Sequence, residues 1–157
     1  MNTIAKKQYF TLAEANQRLP LVRAIVTDIV ELYRDLSERR ERLDRIRRLP
    51  GSANRDENSV YGEELQQIED ELEKDAGRLQ VFVDELQSLG ADLKDFRVGL
   101  VDFLTRVDGE DAYLCWKLGE EEIGYWHEIE AGFQGRRSLL QQAVSEDEAE
   151  PSGSEEP

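Results

Sequence analysis

Residues 21–36, LVRAIVTDIVELYRDL, place apolar side chains at Val22, Ile25, Ile29, Leu32 and Leu36, in steps that alternate between three and four. That spacing keeps one face of a helix apolar and is the heptad signature of a helix with a helical partner. The register continues through Arg39 to Leu43 and Ile46. It recurs in Tyr61, Leu65, Ile68, Leu72, Asp75, Leu79, Phe82, Leu86 and Leu89. Each run is broken once, by Arg39 in the first and by Asp75 in the second. Folding one run back on the other so that paired numbers sum to about 114 or 115 brings the two breaks face to face, with Leu43 against Leu72, Leu36 against Leu79 and Ile29 against Leu86. The pattern therefore predicts an antiparallel coiled-coil hairpin over residues 20–90, crossed by one charged layer in which Arg39 and Asp75 form an ion pair.

Upstream, Thr11 and Glu14 have the spacing of a capping box, so a helix starts there. Pro20 lacks the amide hydrogen a helix interior needs, which predicts that the opening turns end or kink near Leu19 and that Pro20 begins the long helix, running to about Leu49. Pro50-Gly51 stops it, and the loop to about Ser59 is the expected mobile tip. The second helix spans about Tyr61 to Leu89 and ends on Gly90. A second apolar row, Leu21, Val26, Val30 and Tyr33, widens one end of the first helix and needs cover. From Ser37 to Leu49 only Leu43, Ile46 and Leu49 are apolar, so that end is expected to project into solvent.

From Val98 the apolar period changes to two. Asp108-Gly109 is a strong hairpin turn, because both residues tolerate positive φ. Pairing outward from it sets Arg106 opposite Asp111, Leu104 opposite Tyr113, Phe103 opposite Leu114 and Asp102 opposite Cys115. One face then carries Val101, Phe103, Val107, Ala112, Leu114, Trp116 and Leu118, which suits burial against the wide end of the hairpin. Gly119 offers another reversal, and Glu122 to His127 can form a third strand, weakened by Gly124. A last short helix is expected over Arg136 to Ala143. The reading is α+β: a helical hairpin capped by a small antiparallel sheet of two or three strands (98–128), one domain over 1–143, and a disordered acidic tail over 144–157.

The net charge is −15; six acidic residues lie beyond Ser145, and without them the remainder stands at −9. That balance argues against nucleic acid and anionic membrane as partners, since both need a basic face. The run Arg39, Arg40, Arg42, Arg45, Arg47 and Arg48 is interleaved with Glu38, Glu41 and Asp44 and faces an acidic helix, so it reads as partner-orienting charge and not as an RNA stripe. A single cysteine, Cys115, excludes an internal disulfide, and no apolar run is long enough to span a bilayer. A cytoplasmic protein is expected. The apolar strip of a two-helix hairpin is hard to bury alone, which predicts a homodimer.

The sharpest chemistry lies in the strands. Asp102 falls beside Cys115, and a third strand returning along the second can carry His127 to the same face, with Glu120 or Glu128 as a further ligand. Carboxylate, thiolate and imidazole together suit a borderline-soft divalent ion such as zinc. The spacing matches no familiar zinc motif, and the competing reading makes Cys115 a small buried residue, His127 a local hydrogen-bonder and Asp102 the partner of Lys117 or an arginine. A nucleophilic Cys115, activated by His127 and oriented by Asp102, lacks the helix N-terminus or cation that would acidify its thiol. Trp116, Tyr125, Trp126 and Phe133, rimmed by Arg136 and Arg137, could form a ligand platform or simply core.

The residues Phe10-Thr11-Leu12-x-Glu14-Ala15-Asn16 with Leu19-Pro20, followed by Gly99-Leu100-Val101-Asp102-Phe103, Leu114-Cys115-Trp116, Gly119-Glu120, Trp126-His127 and Gly132-Phe133-x-Gly135-Arg136, resemble an uncharacterised family of small prokaryotic proteins, a domain of unknown function. Where that family often shows Asp-Phe-Pro, this chain has Leu104. The resemblance implies a shared fold and no established activity. The leading expectation is a non-enzymatic interaction or scaffold module assembling through its hairpin, and the alternative is a metal-binding protein or metal-dependent enzyme with its site at the sheet.

Overall fold

The computed structural model of the chain describes residues 7–49 and 60–139. The expected tip at 50–59 and the acidic tail at 144–157 lie outside them. Two helices, α1 (Leu12–Arg47) and α2 (Val60–Ser88), are followed by five strands: β1 (Ala91–Asp95), β2 (Leu100–Val107), β3 (Glu110–Lys117), β4 (Tyr125–Glu128) and β5 (Arg137–Ser138). None of the described helices is long and apolar enough to cross a membrane.

Thr11 caps α1 as its spacing requires, its hydroxyl accepting from the Glu14 amide and the Glu14 carboxylate accepting from the Thr11 amide, both at 3.1 Å. Pro20 does not start the long helix. It lies inside a continuous α1, on its exposed side. The ring removes one amide and leaves one carbonyl unbonded where water can serve it, while Ala15, Leu19 and Val22 are buried around it.

Arg39 Nη1 lies 2.7 Å from Asp75 Oδ2, Arg47 meets Glu69, and Arg18 Nη1 donates to the Leu89 carbonyl at 2.8 Å. Numbers rise along α1 as they fall along α2, so the helices run antiparallel. Leu36, Leu43 and Leu72 form a small buried cluster at the far end, with Leu32, Leu65, Ile68 and Leu79 against it. The Arg39 guanidinium holds the Asp75 carboxyl below its ordinary value. Both side chains keep about a fifth of their surface exposed, so the pair is screened and costs desolvation. Replacing both by leucine is expected to raise the denaturant midpoint, whereas Asp75→Ala alone is expected to lower it.

The main core joins the wide end of the helices to one face of the sheet. Val22, Val26 and Ile29 of α1, Leu86 of α2, and Val101, Phe103 and Trp116 of the strands are fully buried there. Gly99 allows this approach. Its φ is +74°, and a Cβ on it would stand 2.7 Å from Val26 Cγ1 and 2.9 Å from Leu118 Cβ.

The sheet is antiparallel throughout, in the order β1-β2-β3-β4-β5. The expected two or three strands are therefore five. β1 is a short edge strand of alternating small or apolar and charged residues directly after Gly90, and β5 is two residues long; neither is long enough to show a period in sequence. The start of the helix expected over Arg136 to Ala143 is extended, since β5 pairs Arg137 with Trp126 and Ser138 with Tyr125, and residues 140–143 lie outside the described residues. The central hairpin has the pairings read outward from Asp108-Gly109, both of which have positive φ.

Candidate metal centre

Cross-strand neighbours in an antiparallel sheet share a face. Asp102 pairs with Cys115, Cys115 with Tyr125, and Tyr113 with His127, so Asp102, Cys115, Tyr113, Tyr125 and His127 all project from the face opposite the helices. A polar face would ordinarily be wet. Here it is covered: the chain after β4 makes a 3-10 turn at Phe133–Gly135, and the Arg136 guanidinium stacks 3.9 Å from the centre of the Tyr125 ring and 4.8 Å from that of Phe133. The Tyr113 ring lies 5.5 Å from the His127 ring. Under this cover Asp102 and His127 each keep 3% of their surface exposed and Cys115 none.

One donor atom from each of Asp102, Cys115 and His127 lies within 4.8 Å of the other two. The orientation of His127 is fixed by its second nitrogen. Nδ1 is 2.8 Å from the Glu128 carbonyl oxygen, which can only accept, so Nδ1 carries the proton. Nε2 then turns toward Asp102, 3.1 Å from both carboxylate oxygens. Facing lone pairs at that distance need a positive charge between them. Burial pushes the Asp102 carboxyl above its ordinary value, against the pull of His127 and of Lys94.

Burial also pushes the Cys115 thiol up, to about 12, with the charge of Asp102 adding to it and Arg136 opposing it. A cation does stand beside the thiol, contrary to the expectation that none would, yet it does not win. Without metal Cys115 is a protonated and shielded thiol, which disfavours nucleophilic chemistry. Native protein at pH 8 is therefore expected to react with a thiol reagent only on unfolding. Because the folded thiol holds its proton above the ordinary value, the stability it contributes is lost as pH climbs from about 9 toward 12. Cys115→Ala should flatten that alkaline limb.

The further acidic candidates go elsewhere. Glu120 Oε1 accepts from the Lys117 amide and from Arg136 Nη2, each at 2.7 Å, and the Glu120 carbonyl accepts from Trp116 Nε1. Glu128 faces Arg137 at 3.5 Å. Trp126 and Arg136 do not share a surface: Trp126 pairs with Leu114 on the core side, with Arg137 over its ring at 5.3 Å, while Arg136 covers the opposite face. Lys94, whose charge acts on Asp102, comes from β1, a strand too short for its period to identify it.

The segments of the C-terminal motif string thus meet at one place. Asp102, Cys115, Glu120, His127, Phe133 and Arg136 come from separate strands and turns and surround one buried cluster. The N-terminal motif is structural, since Phe10 packs edge-on against Phe103 at 5.4 Å and Asn16 Oδ1 accepts from the Ile123 amide at 3.0 Å. A family model described as "Uncharacterized conserved protein (DUF2203)" matches residues 8–139. The chain belongs to this family. No curated protein and no solved structure matches it. The DUF2203 match spans both helices, all five strands and every residue of the cluster.

Proposed function

We propose that the protein binds one divalent transition-metal ion, zinc by its donor chemistry, through Asp102, Cys115 and His127. The observation that carries this reading is the convergence of a carboxylate, a thiol and an imidazole Nε2 within 4.8 Å, with the other imidazole nitrogen already donating to a backbone carbonyl. Metal-ligating histidines use that second hydrogen bond to fix ring and tautomer. Zinc sets tetrahedral donors roughly 3.3–3.8 Å apart. The His127–Asp102 pair is near that spacing, and the widest pair needs to close by about an ångström. A dication also resolves the charge conflict, since it favours the thiolate that burial opposes. Three protein donors leave one position open, as in zinc sites that do chemistry and not only hold structure. Elemental analysis of protein purified without chelator or affinity tag tests the reading: about one ion per chain, lost in Cys115→Ala and His127→Ala, supports it, and metal-free parent protein that also fails to take up added zinc refutes it.

The second reading is assembly through the hairpin, as a two-stranded coiled-coil arm that pairs with a second copy. Leu21 on α1 and Val81 on α2 favour it, because each is a large apolar side chain that leaves more than half of its surface exposed. Size-exclusion chromatography with light scattering is expected to give a dimer at micromolar concentration that Leu21→Glu with Val81→Glu converts to monomer. A monomeric parent chain removes this reading and leaves the metal centre standing.

A further inference from the structure

Around the cluster one cation has no ion-pair partner among the described residues. An ion held by one carboxylate, one thiolate and one neutral imidazole is balanced, Arg136 is balanced by Glu120 at 2.7 Å, and Lys94 by Asp92 at 2.8 Å. Lys117, on the same face of β3 as Cys115, has no carboxylate partner among the described residues, and its ammonium lies 6.0 Å from the centre of the Phe133 ring. Arg136 lies over that same ring at 4.8 Å. Among the described residues its buried Nε has no hydrogen-bond acceptor, although the guanidinium lies beside the Cys115 thiol. A buried donor without an acceptor is costly, so its persistence points to an acceptor that completes it. In a chain of net charge −15, an ammonium without an ion-pair partner and a guanidinium nitrogen without an acceptor stand at one aromatic ring, and both are groups that bind anions.

We propose that the open position at the Asp102–Cys115–His127 centre takes a small oxyanion, the carboxylate or phosphate group of a ligand, held from its outer side by Arg136 and Lys117. This rests on the metal reading. The ion would bond one anion oxygen, Arg136 Nε would donate to another, and Lys117 would supply the balancing charge. Carboxylate and phosphate share this chemistry, and their sizes and charges separate them by experiment.

The test uses the full chain loaded with cobalt(II), freed of excess ion, and titrated at constant ionic strength with acetate, with inorganic phosphate and with chloride as control. Cobalt bound to Cys115 shows a thiolate charge-transfer band and visible bands whose shape reports the fourth ligand. The expected result is a saturable change in the visible bands with acetate or phosphate and none with chloride, at unchanged cobalt stoichiometry. The anion that acts identifies the group. Lys117→Met, which keeps the stem, is expected to weaken that anion about tenfold without altering cobalt binding, and Arg136→Gln by at least as much. A cobalt spectrum that neither anion moves overturns this proposal and leaves the metal reading intact. Anion affinity unchanged in both variants also overturns it. Absence of the charge-transfer band overturns the metal reading and this proposal together.

Discussion

Zinc added to metal-free protein is expected to raise its unfolding midpoint by roughly 5–10 °C once free zinc exceeds its dissociation constant a hundredfold. The figure follows from mass action: a ligand that binds only the folded chain adds about 2.7 kcal/mol at that excess, and a chain of this size gains roughly 2–4 °C per kcal/mol. Three variants separate ligation from folding. Cys115→Ala removes a neutral buried thiol and leaves no charge behind, so the metal-free protein should stay folded while its zinc response disappears. Cys115→Ser nearly keeps the volume but offers an oxygen that stays protonated, and it should bind zinc far more weakly than the parent chain. His127→Ala abolishes the response too, but it also strips a buried carboxyl of its partner, and the metal-free protein is expected to lose about 3–5 kcal/mol. The pH dependence has a definite sign. A thiol whose pKa stands at about 12 must give up its proton to bind, so zinc affinity is expected to rise about tenfold per pH unit between pH 6 and 8. Proton release on zinc binding, read by calorimetry in two buffers of different ionisation enthalpy, checks this directly.

Trp116→Ala is expected to cost about 3–5 kcal/mol, the largest effect of any single truncation that leaves the donor cluster intact. Trp116 is fully buried and is the bulkiest side chain in that state. Its ring fills the junction of α1 and β3, with Arg23 over it at 5.8 Å, and its Nε1 donates to the Glu120 carbonyl at 2.9 Å. That last bond links packing to the site, because Glu120 in turn holds Arg136 in place above Tyr125. Trp116→Phe separates the two contributions. It keeps most of the apolar volume, loses the donor, and is expected to cost about 1–3 kcal/mol. If its denaturation midpoint falls as far as that of Trp116→Ala, the Glu120 bond and not the ring volume anchors this junction.

Local rules accounted for much of this fold and of its site. A two-residue turn fixes register, so Asp108-Gly109 alone was enough to set Asp102 against Cys115, and period two then assigned most residues of β2 and β3 to a face. The polar breaks at Arg39 and Asp75 located each other because a seam tolerates such residues only opposite a partner. What escaped was either short or long-range. β1 and β5 are too brief to show a period, and Pro20 sits where tertiary packing overrides a local penalty of about 3 kcal/mol. The return of Arg136 over the sheet depends on the turn at Phe133–Gly135, which carries no periodic signal. The separation of Trp126 from Arg136 had a signal, since consecutive strand residues point to opposite faces and Tyr125, not Trp126, shares the face of Cys115.

X-ray absorption at the zinc edge of the loaded full chain tests the central claim most directly, because it reads the atoms bound to the ion and their distances. The account predicts one sulfur at about 2.3 Å together with nitrogen and oxygen neighbours at about 2.0–2.1 Å, one of them showing the outer-shell scattering of an imidazole. A first shell of oxygen and nitrogen alone, without sulfur, would contradict it.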